Sequence, residues 1–204
     1  DVTVVKLNAA SGLRQWHTFL GQAGGDYAYD VGYSPDETLI VAGRSDASWG
    51  TPINPHSGGM DGLVIGLDLA GTLLGHTFLG GTGGDECQGV AIALDGIIYV
   101  GGASSASWGS PDKAYGGGAL DGFVARLGMT GTLQAHTFMG GTGIDGVNEL
   151  ALDGNRNFYA VGTCETNWGD PIVTFGGLYD GFLLKSTFLP EALTRHAVGD
   201  FDGD

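Results

Sequence analysis

Short apolar runs come in pairs along this chain, joined by turns rich in Gly, Asp and Pro. Residues 89–104, "GVAIALDGIIYVGGAS", show the pattern: an apolar run, the Asp95–Gly96 link, and a second run rich in β-branched residues. This arrangement predicts a β-hairpin with a two-residue turn. Residues 147–163 and 28–45 predict the same hairpin, with Ser34–Glu37 as the turn in the latter. No stretch has the apolar period of an amphipathic helix, so we expect an all-β chain.

Two further strands follow each hairpin. A polar loop with the pattern Trp-Gly-x-Pro comes first, and a strand such as "DGFVARL" at 121–127 follows it. A turn at Thr130–Gly131 then leads into a strand that contains His-Thr-Phe. Each unit is therefore predicted to hold about four antiparallel strands connected by short turns.

The four-strand unit recurs three times. His-Thr-Phe begins at His17, His76 and His136, at intervals of 59 and 60 residues. Two other markers keep the same spacing, namely the Trp of the polar loop and the Asp-Gly before the third strand: Trp49, Trp108 and Trp168; Asp61, Asp121 and Asp180. Repeats of this kind cannot bury their apolar faces alone, so neighbouring units must stack.

Repeated four-stranded units are typical of the blades of a β-propeller. The innermost strand carries small residues such as Gly89 and Ala91, which suit a crowded centre, and bulkier residues such as Ile98, Tyr99 and Phe123 suit the layers between blades. A parallel β-helix is the alternative, but its coils are shorter and lack Asp-Gly hairpins. We expect about three and a half blades, which form part of a larger propeller or assembly because so few blades cannot close a ring.

The repeat boundaries predict five segments. They are the last two strands of a preceding blade at 1–20, blade repeats at 21–79, 80–139 and 140–190, and a linker with the start of a following segment at 191–204.

Composition narrows the function classes. The 40 Gly residues fit tight turns and close backbone packing, and the charge of −15, from 8 basic and 23 acidic residues, opposes nucleic-acid binding. No window reaches the roughly 18 apolar residues of a membrane helix, so no membrane insertion is expected. The acidity fits either solubility or cation binding.

The pattern "HTFLGGTGGD…GVAIALDGIIYVGGASSASWGSP…DGFVARL" resembles the SBBP family, the bacterial β-propeller repeat. Residues 16–187 match it in three copies, with Trp-Gly-x-Pro where many relatives have Phe-Pro. The resemblance implies an extracellular or cell-surface bacterial protein without enzyme activity and without catalytic residues. The last residues resemble the start of an FG-GAP repeat, whose Asp-x-Asp-x-Asp-Gly loop binds calcium; Asp200, Asp202 and Asp204 are the candidate ligands of this incomplete loop.

The Trp-Gly-x-Pro loops allow two interpretations. Trp49, Trp108 and Trp168 could fill gaps between blades, where an indole buries a large apolar area and its N–H needs one partner. They could instead form a row of sugar-stacking platforms on one rim. Repetition favours packing, because each copy must make the same contacts with the next.

Other reactive residue types also favour structural roles. The His and Thr of each His-Thr-Phe point to opposite faces of a strand and so cannot form a nucleophile pair, and His56 and His196 are ordinary loop residues. The repeated Asp residues after Gly-rich turns and before third strands are expected to bond turn N–H groups. Cys87 and Cys164 occupy different repeat positions and are either buried thiols or, as we favour, one disulfide.

Two functions remain. The first is a non-enzymatic structural or interaction module, such as a surface stalk, adhesin domain or filament subunit, completed by other protein segments or by copies of itself. The alternative is a carbohydrate-binding or calcium-dependent adhesion module that uses the Trp-Gly-x-Pro loops to hold polysaccharide. No convergent acid, base and nucleophile supports an enzyme.

Overall fold

The computed structural model describes residues 1–188, and these contain thirteen β-strands and no helix. Within this range no helix is long and apolar enough to cross a membrane. The predicted segment 191–204 lies outside the described residues. In chain order the strands are β1 Val2–Leu7, β2 Arg14–Leu20, β3 Asp26–Tyr33, β4 Leu39–Ser45, β5 Asp61–Leu67, β6 Leu73–Leu79, β7 Asp85–Ile92, β8 Ile98–Ser104, β9 Asp121–Leu127, β10 Leu133–Met139, β11 Asp145–Leu152, β12 Asn157–Cys164 and β13 Asp180–Thr187.

The strands form four antiparallel sheets in which each strand pairs with its neighbours in sequence. Sheet 1 contains β1–β2, sheet 2 β3–β6, sheet 3 β7–β10, and sheet 4 β11–β13. The all-β prediction and the four-stranded antiparallel unit are therefore confirmed. The first strand of sheets 2, 3 and 4 carries a bulge, between Ala28 and Asp30 in sheet 2, which twists the strand locally.

The hairpins between the first and second strands of sheets 2, 3 and 4 use the same type of turn. In the β7–β8 hairpin the N–H of Gly96 donates to Ala93 O at 2.9 Å, the N–H of Ala93 donates to Ile97 O at 2.9 Å, and Gly96 has φ +81°. The predicted two-residue Asp95–Gly96 link is therefore wrong. The sequence folds as a type I turn followed by a left-handed residue, a three-residue loop whose twist also suits a hairpin.

Two hairpins place a residue with a side chain at the left-handed position. Glu37 in the β3–β4 turn and Arg156 in the β11–β12 turn have φ values of 66° and 64°. Their N–H groups donate to Ser34 O at 3.0 Å and to Asp153 O at 3.2 Å, as the N–H of Gly96 does to Ala93 O. A residue with a Cβ is strained in this conformation, so both turns carry a local cost.

Neighbouring sheets pack face to face and bury three apolar layers. The layer between sheets 1 and 2 contains Val2, Leu20, Val41, Trp49, Leu63, Ile65, Leu67 and Phe78. The layer between sheets 2 and 3 contains Ile40, Ala42, Val64, Leu79, Cys87, Val90, Ile98, Val100, Trp108, Phe123, Ala125, Leu127 and Phe138. The layer between sheets 3 and 4 contains Ala93, Tyr99, Val124, Met139, Val147, Leu150, Phe158, Ala160 and Phe188. The predicted large residues Ile98, Tyr99 and Phe123 thus lie between sheets.

The first strands of successive sheets approach each other closely. A Cβ on Gly89 of β7 would lie 2.8 Å from the Glu149 Cα of β11. A Cβ on Gly32 of β3 would lie 2.1 Å from Ile92 Cδ1 of β7. A side chain at Gly89 would therefore push the next sheet away.

Polar contacts also join neighbouring sheets. The N–H of Val90 donates to Asp30 Oδ2 at 2.8 Å, and Arg44 contacts Glu86 at 3.3 Å, both between sheets 2 and 3. Asn148 Nδ2 donates to Gln88 Oε1 at 3.0 Å between sheets 3 and 4. These bonds fix the lateral position of one sheet on the next, which apolar burial alone does not.

The two cysteines are not bonded. Cys87 lies on β7 in the layer between sheets 2 and 3, whereas Cys164 ends β12 in sheet 4, and both are buried free thiols. The favoured disulfide is therefore wrong: Cys87 lies on sheet 3 and Cys164 on sheet 4, and both thiols are free. Burial raises the pKa of the Cys87 thiol well above its ordinary value, which keeps it protonated and unreactive.

Candidate functional site

Each complete repeat contains a histidine stacked on a tryptophan. The rings of Trp49 and His76 are parallel within 3°, with centroids 3.7 Å apart, and those of Trp108 and His136 are parallel within 2° at 3.8 Å. The Nε2 atoms of His76 and His136 lie 2.9 Å from the carbonyl oxygens of their own Trp partners. We call this unit the Trp–His stack.

The polar loop between the second and third strands positions the tryptophan. In sheet 2 the loop runs along the outer edge of β6, where the N–H of Ile53 donates to His76 O at 2.9 Å and that of Phe78 donates to Asn54 O at 3.2 Å. Asn54 Nδ2 also donates to Thr77 Oγ1 at 2.7 Å. The loop thereby covers an edge that would otherwise be open to another strand.

Sheet 3 repeats this arrangement. The N–H of Asp112 donates to His136 O at 2.9 Å, and the N–H of Phe138 donates to Lys113 O at 3.2 Å. The loop after Trp108 therefore pairs with β10 as its counterpart pairs with β6. A contact present in both complete sheets belongs to the architecture of the repeat.

The stacked histidines are placed for packing. His76 and His136 are 3 % and 2 % exposed, and burial lowers the pKa of both imidazoles, although the bond to the Trp carbonyl opposes that shift. Because a carbonyl oxygen accepts only, Nε2 carries a proton and donates. A neutral buried imidazole in this position supports the predicted structural role. His17, on β2, is exposed and stacks on no indole among residues 1–188, since sheet 1 contains no Trp-Gly-x-Pro loop.

Two of the three predicted loop tryptophans have no accessible face. Trp49 and Trp108 are 6 % and 7 % exposed, with His on one face and Phe78 or Phe138 edge-on nearby. Stacking on a sugar ring requires an exposed indole face, which neither offers. Their indole N–H groups meet no acceptor within the described residues.

Trp168 differs from the other two. It is half-buried, and its ring meets Phe182 edge-on with centroids 5.3 Å apart. A cavity of about 330 Å³ opens beside it. The lining includes Cys164, Thr166, Pro171, Phe182 and Leu184. Within the described residues sheet 4 stops at its third strand, so no histidine fills this space.

Carboxylates hold the turns in every repeat, as predicted. Asp61 Oδ2 accepts the N–H of Ser57 at 2.6 Å, and Asp85 Oδ2 accepts that of Gly81 at 2.9 Å. The remaining members of the set each accept a turn N–H in the same way: Asp26, Asp121, Asp145 and Asp180. Turn capping therefore accounts for one oxygen of each of these carboxylates, whereas the Oδ1 atoms of Asp61, Asp85, Asp121 and Asp145 are buried without a hydrogen-bond partner among the described residues.

Two pairs of these carboxylates lie side by side at the boundary between sheets. A parallel bridge joins Met60 to Gly84, which brings Asp61 next to Asp85; the bridge between Leu120 and Ile144 does the same for Asp121 and Asp145. Burial raises the pKa of Asp61 to about 6, with the neighbouring Asp85 adding to the shift. The sequence analysis did not predict that these carboxylates lie in pairs, although both sets of Asp residues recur at the period of the repeat.

No group of three or more His, Cys, Asp or Glu side chains comes together among residues 1–188. The candidate calcium ligands Asp200, Asp202 and Asp204 lie outside the described residues. His196 does so as well.

The chain was also compared with known proteins. No protein-family model matches it, and no curated protein shows significant similarity to it.

Proposed function

We propose that the chain is a non-enzymatic structural and interaction module of the SBBP type, in which the sheets are successive blades of a propeller arc. The observation that carries this proposal is the repeated contact between sheets. Sheets 2 and 3 each place the tryptophan of their Trp–His stack and large apolar residues in the layer shared with the preceding sheet, so these repeated residues serve to hold the blades together. A module of this kind offers a rigid surface at the exterior of a bacterial cell.

The outer face of sheet 1, the first of the packed sheets, supports binding to another protein surface. On β1 and β2, Val2, Leu20 and Val4 face sheet 2. The alternating residues Val5, Leu7 and Phe19 point away from it and are 48 %, 56 % and 61 % exposed. In sheet 2 the residues at the corresponding positions are Ile65, Leu67 and Phe78, and all three are buried. The outer face of sheet 1 therefore matches a surface that the repeat elsewhere covers.

We infer that this outer face binds another blade, supplied by a further copy of the chain or by a further segment of the same polypeptide. Exposed apolar faces of this kind mark interaction sites. A heterologous contact joins this face of one copy to the opposite end of the series of sheets in the next copy. Repeated contacts of this kind build a ring if the rotation closes and a filament if it does not.

Sedimentation and electron microscopy of the 204-residue chain at increasing concentration test the proposal. We expect assembly of the wild type and loss of assembly in Phe19→Asp, which places a charge on the outer face. The control Leu94→Asp changes a turn residue that is 88 % exposed and should assemble normally. A wild type that stays monomeric, or a Phe19→Asp variant that assembles equally well, would contradict self-association through this face.

Sugar binding is the second candidate, and only Trp168 favours it. Its cavity is bordered by the loop 166–173, as a sugar site on the rim would require. Retention of the chain on a polysaccharide, lost in Trp168→Ala and kept in Trp108→Phe, would support this function. The absence of retention on acidic, neutral and amino-sugar polymers would reject it.

A further inference from the structure

At the boundary of sheets 1 and 2, two side chains fill the space between the strands of one sheet and a turn of the next. Lys6 and Trp16 pair across β1 and β2, and both reach the β5–β6 turn of sheet 2. Trp16 Nε1 donates to Leu69 O at 2.9 Å, and Lys6 Nζ donates to the same oxygen at 3.4 Å. The indole lies against the turn, because a Cβ on Gly71 would be 2.8 Å from the Trp16 ring.

The boundary of sheets 3 and 4 keeps one of these two contacts. The equivalent paired positions there are Arg126 and Ala135. Arg126 Nη1 donates to Phe188 O at 3.3 Å. This acceptor is the counterpart of Leu69 O, since each residue follows the Asp of its third strand by eight positions. A long side chain that reaches this carbonyl therefore recurs as a link between one sheet and the next.

The boundary of sheets 2 and 3 has no side chain at either position. Gly66 and Gly75 pair across β5 and β6, and the equivalent acceptor is the carbonyl oxygen of Met129 in the β9–β10 turn. A cavity of about 300 Å³ is lined by both glycines, by Met129 and by Gly131 of the same turn. The cavity therefore corresponds to the space that a lysine and a tryptophan fill between sheets 1 and 2.

The backbone does not require glycine at these two positions. Neither Gly66 nor Gly75 has a left-handed φ. A Cβ on Gly75 would lie 3.6 Å from Ile53 Cδ1, and a Cβ on Gly66 would meet no heavy atom closer than 3.8 Å. Both contacts are ordinary van der Waals distances, so the missing side chains leave space that a ligand can fill.

The lining of the cavity suits a flat aromatic ring. Its apolar wall includes the buried side chains of Ile40, Val64 and Ile98. Met129 belongs to the same lining, and a thioether makes favourable contacts with aromatic rings. The volume falls at the lower end of the roughly 300–1,000 Å³ that is usual for small-molecule pockets.

The lining also suits a positive charge. Asp36, in the β3–β4 turn, is part of it and is exposed, and an exposed carboxylate is ionised at neutral pH. The two donors that meet the equivalent turn in sheet 1 are an indole N–H and an ammonium group. A ligand that carries both groups would supply the contacts that the two glycines leave out.

We propose that this cavity binds an aromatic amine of the indole type. Its ring lies between Gly75 and the β9–β10 turn, its ring N–H donates to Met129 O, and its ammonium group lies towards Asp36. This binding site is additional to the structural role proposed above, and it does not depend on self-association.

Calorimetric titration of the 204-residue chain with tryptamine tests the proposal. We expect saturable binding with a Kd below about 1 mM, which is reasonable for a ligand of this size. The benzofuran analogue of tryptamine has an oxygen in place of the ring N–H and should bind about tenfold more weakly, because Met129 O then loses its donor. Indole-3-acetate, with a carboxylate in place of the ammonium group, should also bind at least about tenfold more weakly beside Asp36. No saturable binding of tryptamine, or equal binding of all three compounds, would overturn the proposal.

A substitution that fills the cavity gives the matched variant. Gly75→Trp places at this position the residue that sheet 1 has at Trp16, and it should abolish tryptamine binding. The control Leu94→Trp adds an indole at an exposed turn residue outside the lining, and it should bind tryptamine as the wild type does. A folded Gly75→Trp variant that still binds with unchanged affinity would place the ligand elsewhere.

Chemical-shift mapping locates the ligand on the wild type and needs no variant. Tryptamine should shift the amide resonances of Gly66, Gly75 and Gly131 and leave that of Gly154, in the β11–β12 turn, unchanged. Shifts confined to the loop 166–173 beside Trp168 would contradict the assignment, because they would move the aromatic site to the other cavity.

Discussion

The imidazole of His136 lies flat on the indole of Trp108, with centroids 3.8 Å apart and planes within 2° of parallel, and its Nε2 donates to the carbonyl oxygen of the same tryptophan at 2.9 Å. His136 thus holds both the indole ring and the backbone of the loop that contains Trp108. Trp49 and His76 repeat the relationship in the preceding sheet. The Trp-Gly-x-Pro loop and the His-Thr-Phe strand therefore form one structural unit.

Truncation of Trp108 should destabilise the protein severely. Trp108→Ala removes a buried indole from the layer between sheets 2 and 3 and leaves His136 without its partner. We expect the free energy of unfolding to fall by about 3–5 kcal/mol in urea titrations, the usual cost of such a cavity. The control Leu94→Ala, at an exposed turn, should change it by less than about 0.5 kcal/mol. A loss below about 1 kcal/mol for Trp108→Ala would show that the indole bears little packing energy.

The buried imidazoles should make the fold sensitive to acid. Burial lowers the pKa of His136 in the folded state, so the unfolded chain binds a proton more readily and the unfolding free energy falls as the pH drops below about 6.5. His136→Gln should be less stable than the wild type at pH 8 but should decline less between pH 6.5 and 5. His17→Gln, at an exposed position, controls for the substitution itself. An identical decline in His136→Gln would exclude this histidine as a source of the acid sensitivity.

Asp61 should act in the opposite direction. Burial raises its pKa to about 6, so the stabilisation present below pH 4 is lost as the pH rises from about 4 to 6. Asp61→Asn keeps an acceptor for the N–H of Ser57 and cannot ionise. Its stability relative to the wild type should therefore improve by about 1–3 kcal/mol between pH 4 and 7, measured by urea unfolding at both values.

Asp68→Asn is the matched control for this experiment. Hydrogen bonds from Thr72 lower the pKa of Asp68, so the wild type gains stability from this carboxylate as the pH rises and the variant should become relatively worse. If the unfolding free energy relative to the wild type changed with pH in the same direction for both variants, burial would not be the cause of the raised Asp61 pKa.

The strained turn at Glu37 should be open to improvement. Glu37 has φ 66° where the equivalent β7–β8 turn uses Gly96 and a turn with the same hydrogen bonds between β9 and β10 uses Gly131. Because glycine adopts this conformation without a Cβ clash, Glu37→Gly should raise the unfolding free energy by about 0.5–1 kcal/mol. Gly12→Ala is the converse control, since Gly12 has φ 68° and open space around its Cα, and it should destabilise. A destabilised Glu37→Gly would show that the glutamate side chain makes a compensating contact.

Local patterns predicted the strands and hairpins well, because alternation and turn residues act over a few positions. The pairing of β7 with β8, and the position of Tyr99 in an apolar layer, follow from such patterns. The length of the loop at Gly96 did not follow from these patterns, because glycine suits both a two-residue and a three-residue turn. The contact between Trp108 and His136 joins residues 28 positions apart, and it depends on how the loop returns along β10. Alternation along β7 does not reveal that Cys87 and Cys164 lie on different sheets as free thiols.

We claim that one repeat is stable only when it is stacked on the next. Residues 80–139, prepared alone, measure this directly through circular dichroism on heating and amide-exchange protection. We expect no cooperative transition and little protection, because both faces of sheet 3 lose the apolar layers that cover them in the chain. A cooperative transition with native-like protection of β8 and β9 would contradict the claim.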